Sequence, residues 1–199
     1  MAHKQVHMLT IGGAMRDIFI EYQAHKSVTL DAVRGVFLQE GRKIEIDALS
    51  YCPGGGAANS AVSYARLGCA VSIICMVGAD QEGDFIKKNL AAEGVQDTYI
   101  TATTQARTGT SFIIPTLSGN RVVLVYRGAN TLLSEKNISS AALSATDYVY
   151  CTSLGKANAH MLPFIVDNAK KMGKKVAINP GTGQMTHAAE SVKKALPYI

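Results

Sequence analysis

The sequence contains no tryptophan, few aromatic residues and no long apolar run, and each absence narrows the range of functions. Aromatic residues make up 7% of the 199 residues and charged residues 18%, whereas nucleic-acid binders usually show a dense basic stripe with interleaved aromatics. No run of about 18 apolar residues is present, so no transmembrane helix is predicted. The first residues lack the apolar stretch of a secretory signal. We therefore expect a cytoplasmic protein without nucleic-acid or membrane partners.

Cysteine and histidine are also sparse. The four cysteines and five histidines are spread along the chain, and no two cysteines form a CxxC pair. Metal sites need clustered ligands, so none is predicted. With 47% hydrophobic residues the composition is that of a globular protein, which excludes disorder. The mild net charge of +5 suits the attraction of a phosphorylated small molecule.

Apolar runs and amphipathic segments alternate along the chain. This rhythm predicts an α/β fold in which a mainly parallel central sheet is flanked by helices. The predicted strands cover residues 6–11, 71–77, 147–151 and 175–178, and the predicted helices cover residues 57–67, 82–93, 134–143, 163–172 and 186–196.

Three further segments depart from that rhythm. Residues 43–47 alternate as a half-exposed strand, and residues 110–116 and 121–126 read as a hairpin. We expect them to form a small β lid, with strands near 42–50 and 108–127.

Residues 195–199 read as the beginning of another strand, which would leave an apolar edge unpaired. We therefore expect the chain to be the first part of a longer protein.

The strongest chemical feature is a glycine loop, Gly54, Gly55 and Gly56, that leads into a helix. Glycines let the backbone approach a ligand, and a helix N-terminus presents free N–H groups. Asn59 adds a donor and an acceptor suited to hydroxyl groups. A tight strand-to-helix turn without a ligand is equally compatible with the pattern. The dinucleotide fingerprint fails because Asn59 stands where glycine is required, and no Walker A loop is present.

At this loop the chain resembles the ribokinase/PfkB family of carbohydrate and nucleoside kinases. The segments that carry the resemblance include Gly12 to Ile20 (GGAMRDIFI), read as the family's first strand with Asp17 at its end, and the turn Val77 to Gly83. The residues that match the N-terminal signature are Gly54, Gly55, Ala57, Asn59, Ala61, Gly68 and Gly78.

The resemblance implies a ribokinase-like fold and an enzyme that uses ATP and Mg2+ to phosphorylate a hydroxymethyl group of a sugar or nucleoside. It implies that Asp17 and Asn59 bind substrate hydroxyls, that Gly54, Gly55 and Gly56 close over the ligand, and that Ser111 and Ile113 face it. Arg127 matches a position that some acid-sugar kinases use against a carboxylate. The alternatives are a turn-capping role for Asp17 and a surface role for Arg127.

Departures from the family pattern are equally informative. Met15 stands in place of an asparagine, Gly56 in place of the ribokinase lysine, and the Thr152–Ser153 region in place of a glutamate. The second signature, Asp-Thr-x-Gly-Ala-Gly-Asp, is missing with its catalytic base and anion hole, as is the Asn-x-x-Glu segment that organises Mg2+.

We therefore predict the substrate-binding part of a kinase. The second half of the fold, with the ATP-binding C-terminal part, is expected to be absent, and no catalytic residue can be named. A non-catalytic sugar- or nucleoside-binding module is the alternative. We also expect a homodimer through the β lid, on a face carrying Ile44, Ile46, Phe112, Ile114, Val123 and Val125.

Overall fold

Strands and helices alternate along the chain, which a computed structural model describes over residues 5–22 and 26–199. The sequence-based expectation that the first residues lack a secretory signal concerns residues 1–4, which lie outside the described residues. Within it, the strands are β1 (His7–Ile11), β2 (Met15–Glu21), β3 (Lys26–Leu30), β4 (Val33–Phe37), β5 (Ala48–Gly54), β6 (Ala70–Gly78), β7 (Val95–Gln96), β8 (Ile100–Thr103), β9 (Gly109–Pro115), β10 (Arg121–Tyr126), β11 (Tyr148–Cys151) and β12 (Lys175–Ile178). The α-helices are α1 (Gly56–Arg66), α2 (Gln81–Ala92), α3 (Ser140–Ser144), α4 (Leu162–Lys171), α5 (Thr182–His187) and α6 (Ala189–Ala195). No helix among these residues is long and apolar enough to cross a bilayer.

The body of the molecule is a parallel sheet with helices on both faces. Its strand order is β12-β11-β1-β6-β7, and β8 also pairs with β6. Along β6, Ile74 and Met76 pack with α3, α4 and α6, whereas Ile73 and Cys75 pack with α1 and α2. Burial on both faces explains why these strands are continuously apolar in sequence. The predicted α/β fold with its central parallel sheet is confirmed.

A second sheet, here called the lid sheet, contains β10, β9, β2 and β5 in that order. β2 runs parallel to β9 and antiparallel to β5, and β9 and β10 form the predicted hairpin. The predicted strand at 43–47 is wrong, because pairing with β2 begins only where Ala48 meets Glu21. The N–H of Asp47 donates to the Glu21 carbonyl at 2.8 Å, next to the first pair of that ladder.

The segment that was read as one strand from Gly12 to Ile20 is two separate elements. Gly12 has a φ of 149°, and the chain leaves the body sheet there before β2 enters the lid sheet. Asp17 consequently lies near the start of a strand and not at its end. The expectation that the apolar lid residues share one face is also wrong. Val123 and Val125 pair with Ile113 and Ser111, so these two valines lie on the opposite face of the sheet from Phe112.

Two predicted helices are broken in the structure. Residues 134–143 form a short 3-10 turn followed by α3, because Ser139 restarts the helix by accepting a bond from the N–H of Ala142. Residues 186–196 fall in α5 and α6, which meet at Ala188. The predicted terminal strand is a 3-10 turn at Leu196–Tyr198. The hairpin of β3 and β4 was not predicted.

Asp80 joins helix α2 to the first residues of the lid sheet. Its carboxylate accepts bonds from the N–H of Gly83 at 2.9 Å, and from the N–H and hydroxyl of Thr108 at 2.9 and 2.6 Å. Burial raises the pKa of Asp80, but the bonds from Thr108 and Gly83 and the charge of Arg107 outweigh it, so the pKa lies below its ordinary value. Since Thr108 precedes β9, this carboxylate fixes where the lid sheet leaves the body.

We expect Asp80→Asn to lower the free energy of unfolding by about 1–3 kcal/mol at neutral pH, because an amide group would then face the N–H donors. The measurement is denaturant unfolding, with Asp84→Asn on the exposed side of the same helix as the matched control. Because the folded-state pKa is lowered, the contribution is present above the unfolded value of 3.8 and is lost as pH falls through the folded value. Equal stabilities of the wild type and Asp80→Asn at pH 7 would contradict this role.

Candidate functional site

Asp17 lies on the face of the lid sheet that turns toward the glycine loop. In register with it are Cys52 on β5 and Ser111 on β9. Its carboxylate packs against Gly54 so closely that a Cβ on Gly54 would overlap it. Burial raises the pKa of Asp17 above its ordinary value, and a hydrogen bond with Ser111 lowers it in part. A half-buried carboxylate of this kind is an acceptor suited to ligand hydroxyl groups.

Ser111 and Ile113 extend the same face along β9. Both side chains are buried, and their register with Asp17 and Phe19 places them on the face that carries Asp17. The Ser111 hydroxyl also lies 3.2 Å from the sulfur of Met15. Met15 therefore fills the position where the family pattern has a polar asparagine, and it makes this end of the site more apolar.

The glycine loop packs directly on the turn between β1 and β2. Gly55 has a φ of 94°, and a Cβ there would overlap the carbonyl of Gly13. The N–H of Ala57 donates to that carbonyl at 3.1 Å. On its other side, a Cβ on Gly56 would approach the Thr152 hydroxyl to 2.9 Å. Larger side chains do not fit between these backbones, which explains the run of glycines.

A cleft of about 130 Å³ opens beside this contact. Its walls come from the turn between β1 and β2, the glycine loop, the segment after β10, and the loop after β11. The residues that line it are Gly12, Gly13, Met15, Gly55, Gly56, Arg127, Asn130, Thr131, Leu133, Ser153, Leu154, Gly155 and Asn158. Met15 lines the cleft and also contacts Ser111, so its side chain lies between the cleft and the Asp17 face.

The structure brings most of the sequence-predicted residues to this region. Gly54, Ser111 and Ile113 surround Asp17 on the lid sheet, while Gly55, Gly56 and Arg127 line the cleft. Asn59 is the exception. It lies exposed on α1 and is not among the residues that line the cleft.

Two asparagines that sequence reasoning missed hold the far wall of the cleft. The side chain of Asn130 accepts from the N–H of Ala14 at 3.0 Å and donates to its carbonyl at 2.8 Å, which fixes the turn between β1 and β2. The amide of Asn158 donates to the Asn130 carbonyl at 2.7 Å. Asn130 follows three residues after Arg127, which the sequence analysis did name, whereas nothing in the sequence singled out Asn158.

Arg127 is the one charged residue among those described that line the cleft. Its side chain lies beside Gly155, so that a Cβ on Gly155 would be 3.6 Å from Cδ and 3.8 Å from Nη1 of Arg127. Ser153, in the region where ribokinases have a glutamate, also lines the cleft. The cleft lining therefore carries one positive charge and no carboxylate.

Arg16 fastens the lid sheet to the body from the face opposite Asp17. Its guanidinium lies between the rings of Tyr51 on β5 and Phe85 on α2, 4.6 and 4.1 Å from their centroids. It also pairs with Glu82 on α2 at 2.5 Å. Cation–π contacts combined with a partly buried ion pair hold β2 in a defined orientation. This clamp, not noted from sequence, positions the neighbouring Asp17.

In the described part of the chain, no group of three or more His, Cys, Asp or Glu side chains is arranged to hold a metal ion. We therefore assign none of these residues to Mg2+.

Burial raises the pKa of the Cys52 thiol, and the adjacent charge of Asp17 raises it further. Cys52 is thus a largely protonated, half-buried neighbour of the Asp17 carboxylate and not an activated nucleophile.

Comparison with known proteins finds carbohydrate kinases among the relatives of this chain. The 32% identity to ribokinase from Haemophilus influenzae extends over 163 residues, which is 80% of this chain and 53% of that protein. The chain thus spans about half the length of this curated relative.

Two solved structures have similar folds. The ribokinase of Giardia lamblia superposes with a TM-score of 0.78 at 19% identity, covering 94% of this chain and 59% of that one. Arabidopsis thaliana ribokinase, solved in complex with ribose and ATP, gives a TM-score of 0.71 at 17% identity, covering 98% of this chain and 70% of that one. At these identities the likeness concerns the fold, which is ribokinase-like.

The family assignment rests on the sequence over most of its length. The profile described as pfkB family carbohydrate kinase matches residues 19–199. With the signature glycines packed against the β1–β2 turn and a lid sheet over an α/β body, the chain belongs to the pfkB family of carbohydrate kinases.

Proposed function

We propose that this chain is the sugar-binding part and lid of an ATP-dependent kinase that phosphorylates a hydroxymethyl group of a small carbohydrate. The observation that carries the proposal is the half-buried Asp17 carboxylate packed against Gly54 of the glycine loop, whose Gly55 and Gly56 line the cleft. Membership of the carbohydrate kinase family and the likeness to a ribokinase solved with ribose and ATP support it. A nucleoside is the second substrate class that this family membership allows.

In the proposed complex, Asp17 accepts hydrogen bonds from two substrate hydroxyls, and the backbone of Gly54, Gly55 and Gly56 closes over the ring. Buried Ser111 and Ile113 form the floor on the lid side. Asn59 is exposed on α1 and does not line the cleft, so it would have to contact the substrate from outside the cleft. A carboxylate that accepts from neighbouring hydroxyls makes stronger bonds than a neutral acceptor would.

ATP is the proposed phosphoryl donor, with Mg2+ as its counterion. When bound, the ion would neutralise charge on the transferring phosphoryl group. The general base and the anion hole are proposed to lie outside these 199 residues, because the Asp-Thr-x-Gly-Ala-Gly-Asp signature does not occur in them. The contribution of this chain is to bind the sugar, orient its hydroxymethyl group and exclude water.

A non-catalytic sugar- or nucleoside-binding module is the second candidate, because the sugar-binding residues proposed above do not themselves require phosphoryl transfer. The discriminating observation is the coding sequence after Ile199. A reading frame that continues through Asn-x-x-Glu and the second signature supports the kinase, whereas a stop codon supports the module.

We expect Asp17→Asn to weaken sugar binding by about 1.5–3 kcal/mol, the range for a charge-assisted hydrogen bond, and to leave ATP affinity nearly unchanged. Isothermal titration of the full-length protein with D-ribose and other neutral sugars measures this loss. Because burial raises the pKa of Asp17, wild-type sugar affinity should fall as pH decreases through that raised value. The affinity of Asp17→Asn should not change in this pH range.

Asp167→Asn is the matched control, since Asp167 pairs with Lys171 on the surface of α4. If Asp17→Asn bound sugar as tightly as the wild type, Asp17 would have only the turn-capping role, and the proposed site would be wrong.

We further propose that two copies pair through the lid sheet. The face away from Asp17 exposes the large side chains Leu49, Tyr51, Phe112, Leu124 and Tyr126. Register places Phe112 directly opposite Leu124. A thin sheet with such a face is stabilised when a second copy covers it, and the contact is then symmetric.

The double variant Phe112→Glu with Leu124→Glu should shift the protein from dimer to monomer in size-exclusion chromatography with light scattering. Buried like charges across a symmetric interface repel each other and remain unpaired. Leu67→Glu, on the exposed C-terminal cap of α1, should leave the dimer intact. A monomeric wild type, or a dimer that survives both charges, would exclude this interface.

A further inference from the structure

The side chain of Asn158 presents an unused hydrogen-bond acceptor at the cleft. The residue is only 3% exposed, and its Nδ2 donates to the Asn130 carbonyl at 2.7 Å, which fixes the orientation of the amide. Its Oδ1 is buried and has no hydrogen-bond partner among the residues that the structure describes. Buried polar atoms in proteins nearly always have a hydrogen-bond partner, so we expect this oxygen to accept a hydrogen bond from a group outside the chain.

Gly155 leaves space next to that oxygen. A Cβ built on Gly155 would meet nothing nearer than 3.6 Å, and its three nearest neighbours would be Asn158 Oδ1 at 3.6 Å and Arg127 Cδ and Nη1 at 3.6 and 3.8 Å. Gly155 does not have the left-handed backbone conformation that favours glycine. A Cβ there would occupy this space without a clash, and the backbone conformation does not require glycine. We call this space, bounded by Gly155, Arg127 and Asn158, the Gly155 corner.

The chemistry of the Gly155 corner distinguishes between ligand groups. Asn158 Oδ1 can only accept a hydrogen bond, and the Arg127 guanidinium can only donate. A hydroxyl group does both, so it satisfies the two partners at once. A carboxylate would pair with Arg127 but would place an acceptor oxygen against Asn158 Oδ1.

We propose that the Gly155 corner binds a hydroxyl group of the ligand and selects a neutral polyol over a carboxylate-bearing sugar. The assignment of that polyol to a sugar substrate rests on the proposed function, whereas the preference for hydroxyl over carboxylate rests on the corner alone. Asn158 and Arg127 become specificity-determining residues. Arg127 then acts as a hydroxyl donor and not as the carboxylate partner that sequence resemblance suggested.

The test is a nuclear magnetic resonance titration of the ¹⁵N-labelled 199-residue chain with D-ribose, glycerol and sodium acetate at constant ionic strength. We expect D-ribose and glycerol to shift the Gly155 backbone amide and the Asn158 side-chain amide saturably, and acetate to leave both unshifted. Gly155→Ala, which fills the corner, should weaken D-ribose binding at least tenfold. Gly183→Ala should bind as the wild type does, because a Cβ there meets open space.

Asn158→Leu removes the acceptor and should also weaken D-ribose binding at least tenfold. If this variant does not fold, Gly155→Ala still decides the question, because it leaves the bond from Asn158 to Asn130 in place. Acetate shifts equal to or larger than those of glycerol, or D-ribose binding unaffected by Gly155→Ala, would overturn the proposal.

The proposal for the Gly155 corner and the proposed sugar site at Asp17 can be contradicted independently of each other. D-ribose shifts at Ser111 and Cys52 without any at Gly155 would support sugar binding and overturn the corner. Glycerol shifts at Gly155 without sugar binding would support the corner and contradict the proposed function. The absence of shifts with all three compounds would overturn both.

Discussion

The backbone contact between Gly55 and Gly13 is the constraint on which the rest of the site depends. The two chains meet so closely that a Cβ on Gly55 would overlap the Gly13 carbonyl, and that carbonyl accepts the N–H of Ala57 at the start of α1. The contact fixes the N-terminus of α1 against the turn that leads into β2. Because Asp17 follows that turn closely, its position relative to the glycine loop is set by backbone and not by flexible side chains.

The first turn of α2 supplies the second support for the lid sheet. Asp80 binds Thr108 just before β9, and Glu82 binds Arg16 on β2. β2 and β9 are adjacent and parallel, so both central strands of the lid sheet are anchored to one helical turn. This arrangement keeps Asp17 and Ser111 at a fixed distance from the body while the outer strands extend into solvent.

Sequence patterns predicted the elements whose burial leaves a strong periodic signal. The body strands are continuously apolar because both faces are covered. The glycine loop is visible in the sequence because a Cβ would crowd Asp17 at Gly54, Gly13 at Gly55 and Thr152 at Gly56. Alternation alone was misleading at residues 43–47, which are not strand although β5 begins directly after them at Ala48. The hairpin of β3 and β4 was not predicted from the sequence, because its turn lacks the glycine that usually marks such turns. The turn residues Asp31 and Ala32 have φ values of 48° and 64°.

The cleft was the least predictable part of the site. Asn130 acts by bonding to the backbone of Ala14, 116 positions away in sequence. Asn158 is placed by Asn130 in turn, and it lies in a loop without a distinctive sequence pattern. Such residues acquire their roles from tertiary contacts, which local periodicity and glycine spacing do not report.

The central claim is that a sugar binds against the Asp17 face of the lid sheet, and Cys52 offers the most direct measurement. Cys52 lies in register with Asp17, whereas the equally half-buried Cys69 lies at the far end of α1. The rates at which iodoacetamide alkylates the two thiols can be followed by mass spectrometry with and without D-ribose or another neutral sugar. Sugar should slow alkylation of Cys52 severalfold and leave Cys69 unchanged. Equal rates at Cys52 with and without a sugar that binds the protein would contradict the account.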